Sequence, residues 1–596
     1  DHPIIVPHPL LTPTLSTVPP EAFASYVFGS SEGIGSNNWV VAGSRTETGM
    51  PLLANDPHLG IQMPAIWYEV GLHCEPRNAA CPYNVVGVSF PGSPGVIIGH
   101  NERIAWGVTN LGPDVQDLFI ERVNPENPNQ VEFQGQWEDM QIIREEIAVA
   151  GQEEPVVVNV RVTRHGPIIN DIAGGVEQAW SFGWQPLAFS WTALEHGTIM
   201  RSILLLNRAN NWNEFRRALA YWDAPGQNFV YADVEGNIGY QATGRIPIRA
   251  AGDGTMPVPG WSGEYEWIGT IPFNELPSAF NPPQGYIVTA NNAVVGPDYP
   301  YFLSADWDSG YRARRIVDMI EADPSLSIAD FQAMHGDSMA LWAQDVLPYV
   351  LPLPATCSAC SQQEQVRLLE TMELLRAWDG RSTRDSVGAA IFNAFSIHLI
   401  DLTFGDELGA DLLTRARPTL SLPLVNILPE QRSSWFDNVN TPAVETRDEI
   451  IMQALLDTID ELTERLGSDM NRWQWGNLHT ATFQGQGLGQ SGIRPIEAIF
   501  NRGPVPVDGS GGAVNNTAFS LNDPYTVRTV PSYRQIIDLG DLTRSLSMHT
   551  TGQSGHAFHR HYDDMIDPWR NIEYHPMLWQ RADVEADAEG VLLLRP

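Results

Sequence analysis

The apolar residues change period twice along the chain, and that change limits the possible folds more than any compositional figure does. From Trp39 to about residue 300 the pattern is one of strands and turns. "WVVAGSRTETGMPLLAN" reads as two strands around a polar, glycine-ended turn. In "VVVNVRVT", Val156, Val158, Val160 and Val162 share one face, the period of a half-buried strand. "YADVEGNIGYQATGRIPIR" continues the pattern, with Glu235-Gly236 as a turn. From about 310 to 470 the period becomes helical. Ile451, Leu455, Ile459, Leu462 and Leu466 form one stripe, opened by a capping box at Thr446 and Glu449 and closed by Gly467. Ser327 to Asp330 opens a second helix in the same way. After 470, short strands and glycine-rich turns return. A chain of 596 residues ordered in this way predicts one large α+β fold with a mostly helical insertion over about 310–470, not a string of independent domains. Ahead of this, six of the first twenty residues are prolines, which is linker composition.

One compositional fact excludes whole classes of chemistry. There is no lysine, so all 35 basic residues are arginine. Schiff-base and pyridoxal catalysis, P-loop nucleotide binding and kinase-type phosphoryl transfer each need a lysine amine. A net charge of −36 argues against a nucleic-acid partner. No apolar run approaches the roughly 18 residues of a membrane span, so no membrane partner is expected. Four cysteines fall in two close pairs, Cys74/Cys81 and Cys357/Cys360. Two local disulfides in an exported protein are the favoured reading, with buried free thiols as the alternative. The sequence opens on neither a methionine nor a signal peptide, which suits a fragment or a processed product.

The glycine-studded approach "FGSSEGIGSNNWV" raises a question of chemistry at Ser36, because a serine hydroxyl is a weak nucleophile unless something activates it. A distant histidine is one option. A G-x-S-x-G elbow is present only in shifted form, at Gly552-Gln553-Ser554-Gly555, and sequence places none of the 15 histidines. Cleavage between Gly35 and Ser36 is another. It would free an α-amine of pKa about 7.7–8.0 beside its own hydroxyl, a base that needs no positioning by a remote side chain. Glycine at Gly35 would then allow a strained backbone with its carbonyl open to attack. A third reading is a simple turn before a strand. Two further classes stay open at this stage: a glycoside hydrolase using paired carboxylates, given 71 acidic residues and 19 tryptophans, and a non-catalytic binding protein.

"SNNWVVAGSRTETGMPLLANDPHLG" resembles the start of the β-subunit of the penicillin acylase family, within the N-terminal nucleophile hydrolases. "PGSPGVIIGHNERIAWGVTNLGPDVQDLF", "TRHGPII", "PVPGW", "GYIVTANNAVV", "GYRARRI" and "GQSGH…HYDDMIDPW" resemble further family segments, in family order, from about residue 30 to 580. The resemblance implies a four-layer αββα sandwich and an amidohydrolase acting on the side-chain amide of N-acyl compounds, such as β-lactam antibiotics or N-acyl homoserine lactones. It implies Ser36 as nucleophile after autocatalytic cleavage at Gly35-Ser36, with the backbone of Asn110 and the side chain of Asn291 as oxyanion donors. Arg312 matches an arginine that holds the polar network, and His58 a residue contacting the N-terminal one. Leu59, Ile98 and Trp191 match acyl-pocket positions, the first two aliphatic where penicillin G acylases carry phenylalanine. Asp114, Gln116 and Asp117 match ligands of a structural calcium ion, with Asp306 a weak further candidate; no organic cofactor is implied. Residues 1–35 match the end of a spacer and 36–596 the β-subunit. The α-subunit, from the same precursor, would be a partner beside the small acyl-amide substrate, in a periplasmic or extracellular protein.

Overall fold

The computed structural model describes residues 35–170, 186–356 and 360–594. Its centre is the ladder that sequence places first. Strand Gly35–Val41 pairs antiparallel with Leu52–Gly60, so that Ser36 stands opposite Pro57 and Asn37 opposite Asp56. On its other edge it pairs with Tyr286–Thr289. The strand Leu52–Gly60 is flanked in turn by Asp523–Pro531 and Tyr533–Asp538 in a ten-stranded sheet. A second sheet of seven strands carries Gln227–Asp233 beside Ile104–Asn110, followed by Ile98–Asn101, Asn84–Ser89 and Tyr68–His73.

Alternation along the strands decides what each sheet face meets. Trp39, Val41, Leu52 and Ala54 point outward, onto Ile316, Val317 and Ile320 of helix Tyr311–Ala322 and onto Phe331 and Met334 of helix Ile328–His335. Val40 and Leu53 point inward and share one apolar cluster with Val88, Ile98 and Ile104 of the second sheet. Helices Ile199–Leu206 and Trp212–Leu219 cover that sheet's outer side, with the Phe215 ring 4.9 Å from Tyr231. The layers therefore run helix, sheet, sheet, helix, as the resemblance implies. Amides hook the two sheets together: Asn55 Nδ2 donates to Asn37 O and Val108 O, at 2.7 and 2.9 Å, and Val108 N–H returns a bond to Asn55 Oδ1.

Between Thr289 and Thr480 the described elements are helical, from Tyr311–Ala322 to Arg447–Leu466. The expected stripe is buried through Ile451, Leu455, Ile459 and Leu462, against Phe392, Phe395 and Leu399 of helix Val387–Ala416. Glu449 reaches back to the N–H and hydroxyl of Thr446, at 2.9 and 2.7 Å, and Gly467 ends the helix at φ 89°. One expectation needs correction: Val387–Thr419 is long and apolar enough to cross a membrane, with an 18-residue window of mean hydropathy 1.5. That window is 78% buried inside the protein, and its apolar surface is spent on the core of the helical region. The strand Val156–Thr163 also departs from expectation. Val156 and Val158 are exposed, because its hairpin with Gln141–Ile147 has no layer packed on it among the described residues. Cys74 and Cys81 form a disulfide, and Cys360 is disulfide-bonded; Cys357 lies outside the described residues.

Helix Ile328–His335 is entered through a complete capping box. Ser327 Oγ accepts from Asp330 N–H at 3.2 Å, and Asp330 Oδ2 accepts from Ser327 N–H at 2.8 Å. Replacing Ser327 with alanine should lower stability by about 1 kcal/mol, the usual value of such a cap, read as a lower urea midpoint.

Candidate active site

Ser36 is the second residue of the central strand and is buried. Its Oγ donates to the carbonyl oxygen of Gly35 at 2.5 Å, so the hydroxyl lies beside the peptide bond that precedes it. Ser36 N–H donates to Asn291 Oδ1 at 2.7 Å, and in the continuous chain this nitrogen is an amide, not a base. Asn291 follows the strand Tyr286–Thr289 and holds φ 66°, a left-handed conformation that asparagine tolerates better than most residues. Its Nδ2 donates to the carbonyl of Asn110 at 2.9 Å, and that carbonyl also accepts from Asn228 Nδ2 at 3.2 Å. Ser36, Asn291 and Asn110, more than 70 residues apart at the closest, thus form one contiguous hydrogen-bonded group.

Arg312, in the first turn of helix Tyr311–Ala322, clamps this group. Nη1 donates to Ser36 O and Asn37 Oδ1, both at 2.9 Å; Nη2 donates to Asn291 Oδ1 at 3.0 Å and Asp308 Oδ2 at 2.9 Å. The clamp also gives the reason for Gly35, and it differs from the expectation of backbone strain. Gly35 is not in the left-handed region. A Cβ there would instead stand 2.9 Å from Asn291 Oδ1 and 3.0 Å from Arg312 Nη2.

His58 needs a correction. It shares a strand face with Asp56, two residues before it, and with Asn37 across the ladder, which is the face opposite the Ser36 side chain. Its Nε2 lies 3.0 Å from Asp56 Oδ2 and 3.2 Å from Asn37 Nδ2, and no hydrogen bond joins it to Ser36. Behind Asp56 stand His335, with Nε2 3.9 Å from Asp56 Oδ1, and Tyr574, whose hydroxyl is 2.7 Å from His335 Nδ1. Burial pushes both imidazoles well below their ordinary pKa and raises the Asp56 carboxyl well above its own, against the pull of Arg534 and Arg312.

The remaining expected residues divide. Leu59 and Ile98 belong to one apolar cluster between the sheets, but Ile98 is fully buried and is core rather than open pocket wall. Trp191 is 36% exposed at the end of strand Leu187–Trp191, with its ring 5.9 Å from Phe189. Asp114 and Asp117 do converge, but on a guanidinium: Arg249 Nη2 lies 3.1 Å from Asp114 Oδ1 and 2.6 Å from Asp117 Oδ1. Asp306 is exposed, with its N–H on Ser304 Oγ, and Gln116 is tied into the strand pairing opposite Trp191. No group of three or more His, Cys, Asp or Glu suited to a metal exists among the described residues. The calcium expectation therefore does not fit, because a side-chain cation already holds the two carboxylates. Ser554, in the shifted elbow, spends its Oγ on the N–H of His556 in an exposed turn.

Comparison with known proteins supplies the family. The family model described as penicillin amidase matches residues 7–586. The chain belongs to the penicillin amidase family. It is 31% identical to the acyl-homoserine lactone acylase QuiP of Pseudomonas aeruginosa, over 90% of this chain and 66% of that protein. It is 31% identical to the penicillin acylase 2 proenzyme of Pseudomonas sp. strain SE83, over 93% and 68% respectively. The chain spans about two thirds of the length of these relatives. A solved structure of the thermostable penicillin G acylase of Alcaligenes faecalis superposes with a TM-score of 0.67, at 23% identity, covering 94% of this chain and all of that one. That likeness shows the N-terminal nucleophile hydrolase fold.

For a member of the penicillin amidase family, several supporting residues escaped the sequence reading. Asp56 was legible in principle, since it sits at i−2 from His58 in a strand and must share its face. Asp308 was legible as the i−4 partner of Arg312. His335, Tyr574 and Arg534 are joined to the site only by long-range packing.

The two depressed histidines set a pH dependence. A histidine whose folded pKa lies below the unfolded 6.5 contributes stability that is present above pH 6.5 and lost as pH falls below it. Each should cost about 1 kcal/mol between pH 6.5 and 5.5. A His58→Gln variant should lose correspondingly less stability over that interval than the parent, compared by urea denaturation at the two pH values. Equal losses would show that His58 is not held neutral.

Proposed function

We propose that this chain carries the catalytic part of an N-terminal serine amidase that cleaves the acyl amide of small N-acyl compounds. The observation that carries the reading is the position of Ser36, its hydroxyl on the Gly35 carbonyl and its nitrogen on Asn291. In the proposed processing step, Ser36 Oγ bonds to the Gly35 carbonyl carbon and the Gly35–Ser36 C–N bond breaks. Water then hydrolyses the resulting ester and leaves a free α-amine. That amine takes the Ser36 hydroxyl proton during turnover, while Oγ bonds to the substrate carbonyl carbon. Asn291 Nδ2 and the Asn110 N–H would stabilise the oxyanion. The proton passes to the departing amine as the C–N bond breaks, and water releases the acid and restores Ser36. Arg312 would disfavour protonation of the nearby amine by like charge, keeping it available as a base.

Relatives named acyl-homoserine lactone acylase and penicillin acylase define the substrate classes to compare. Aliphatic Leu59, at a position the resemblance assigns to the acyl pocket, favours aliphatic acyl chains over aryl-acetyl ones. We further propose that residues 1–35 are a spacer remnant, that an α-subunit completes the acyl pocket, and that the Cys74–Cys81 disulfide reflects an exported protein.

Ser36→Ala should abolish both cleavage at Gly35-Ser36, followed by mass spectrometry of the full precursor, and hydrolysis of a panel of N-acyl homoserine lactones and penicillins. Residual hydrolysis by that variant would remove Ser36 as the nucleophile. Asn291→Ala should lower turnover by about 10²–10³-fold, as for other lost oxyanion donors. It should also slow precursor cleavage, because the same side chain positions the Ser36 N–H. A variant that turns over at the parental rate would eliminate Asn291 from the site.

A further inference from the structure

The aspartates at 114 and 117 stand where the family resemblance implies a structural metal ion, and the structure fills that place differently. Arg249 is buried, with a side chain only 4% exposed, as is that of Asp117. Its Nε donates to Asp117 Oδ2 at 2.8 Å and its Nη2 to Asp117 Oδ1 at 2.6 Å, a two-pronged pairing of guanidinium with carboxylate. Nη2 also reaches Asp114 Oδ1 at 3.1 Å and the Asp114 carbonyl at 3.3 Å. Trp267, directly across the strand pair from Arg249, donates Nε1–H to Asp117 Oδ2 at 2.6 Å. Gly254, at φ 87°, closes the site from above. A Cβ there would lie 2.4 Å from both Arg249 Nη2 and Asp117 Oδ1. Arg249 thus engages both Asp117 oxygens, Asp114 Oδ1 and the Asp114 carbonyl, in a cluster to which Asp253 adds a third carboxylate.

We infer that Arg249 supplies, as a side chain, the positive charge that a bound divalent cation would supply at Asp114 and Asp117, so that this site is metal-independent. The ion pair ties residues 114–117 to the Pro247–Arg249 strand and its loop. It acts within a few residues of two parts of the candidate site. Asn110 lies four residues before Asp114, and Asp117 pairs with Ser190, next to Trp191. The guanidinium therefore braces the segment that leads from the oxyanion backbone to the edge of the acyl site. The buried Asp117 and the partly exposed Asp114 would repel if left without a counter-charge, and the Arg249 guanidinium removes that cost.

The test is thermal unfolding of the full chain with millimolar calcium chloride or with EDTA. The parent should melt at the same temperature in both. Arg249→Ser should melt several degrees lower in EDTA and recover part of that loss with calcium, since it frees both carboxylates and the Asp114 carbonyl as oxygen ligands. Arg249→Lys keeps the charge without the fork and should stay indifferent to calcium. A parent protein whose melting temperature shifts with calcium or EDTA would overturn the inference, whether or not the serine variant folds. So would an Arg249→Ser protein that melts like the parent, or one that is destabilised yet unresponsive to calcium.

Discussion

The Arg312 guanidinium is the point on which the candidate site depends. Two of its nitrogens bond four acceptors drawn from three places in the sequence: the Ser36 carbonyl and Asn37, Asn291, and Asp308. The strand Gly35–Val41, the loop bearing the expected oxyanion donor and the helix that packs on the outer sheet face are thereby held in one geometry. Bonds of this kind are stronger than neutral ones, and here they form where little water competes. Because Arg312 opens a helix whose other face carries Ile316, Val317 and Ile320 into the core, the clamp is fixed in place by apolar packing far larger than the polar group itself. Its neighbour Asp308 is partly exposed, so the cation is paired without being sealed off.

Behind that clamp the protein buries a second polar layer, and its logic is the opposite. Asp56, His58 and His335 lie inside the sandwich, where a charge is costly, and the environment pushes each toward its neutral form. Neutral groups can pack close to Arg312 and Arg534 without cancelling their fields. The strand Leu52–Gly60 thus presents different chemistry on its two faces: Asn55 hooks the second sheet, while Asp56 and His58 support Asn37 from behind. The same alternation keeps His58 from the Ser36 hydroxyl. His58, six residues after Leu52, makes its side-chain bonds on the face away from Ser36.

That contrast marks where sequence reasoning reached and where it stopped. Periodicity is a local property. It placed the strand after Gly35, the turn at Glu235-Gly236 and the long helix ending at Gly467, because each is decided by residues within a few positions. The order of quoted segments carried the layered fold and the residues Ser36, Asn110, Asn291 and Arg312, which the structure joins. What failed depended on contacts across hundreds of residues. The valines of Val156–Thr163 alternate well, but nothing in their own pattern says whether a layer will cover them. Ile98 is aliphatic either as core or as pocket wall, and only its complete burial decides. Arg249 lies 132 residues from Asp117, and no spacing rule connects them.

The absence of lysine, useful at first only for what it excludes, acquires a positive meaning in this light. An ammonium is a compact point charge, whereas a guanidinium carries donors in a fixed planar fork. Arg312 uses that fork to hold two segments and a helix start around Ser36. Arg249 uses it to bind one carboxylate along an edge and a second from the same nitrogen, as a metal ion would. Arg534 bonds the Trp569 carbonyl and Asn515 from the fully buried interior, and Arg315 spans Asp337 with two nitrogens. In a chain with 71 acidic residues, buried carboxylates need partners that stay charged at every working pH and fix direction as well as charge. Arginine meets both requirements. These four arginines act as rigid connectors of the polar interior, and Ser36 is held by one of them.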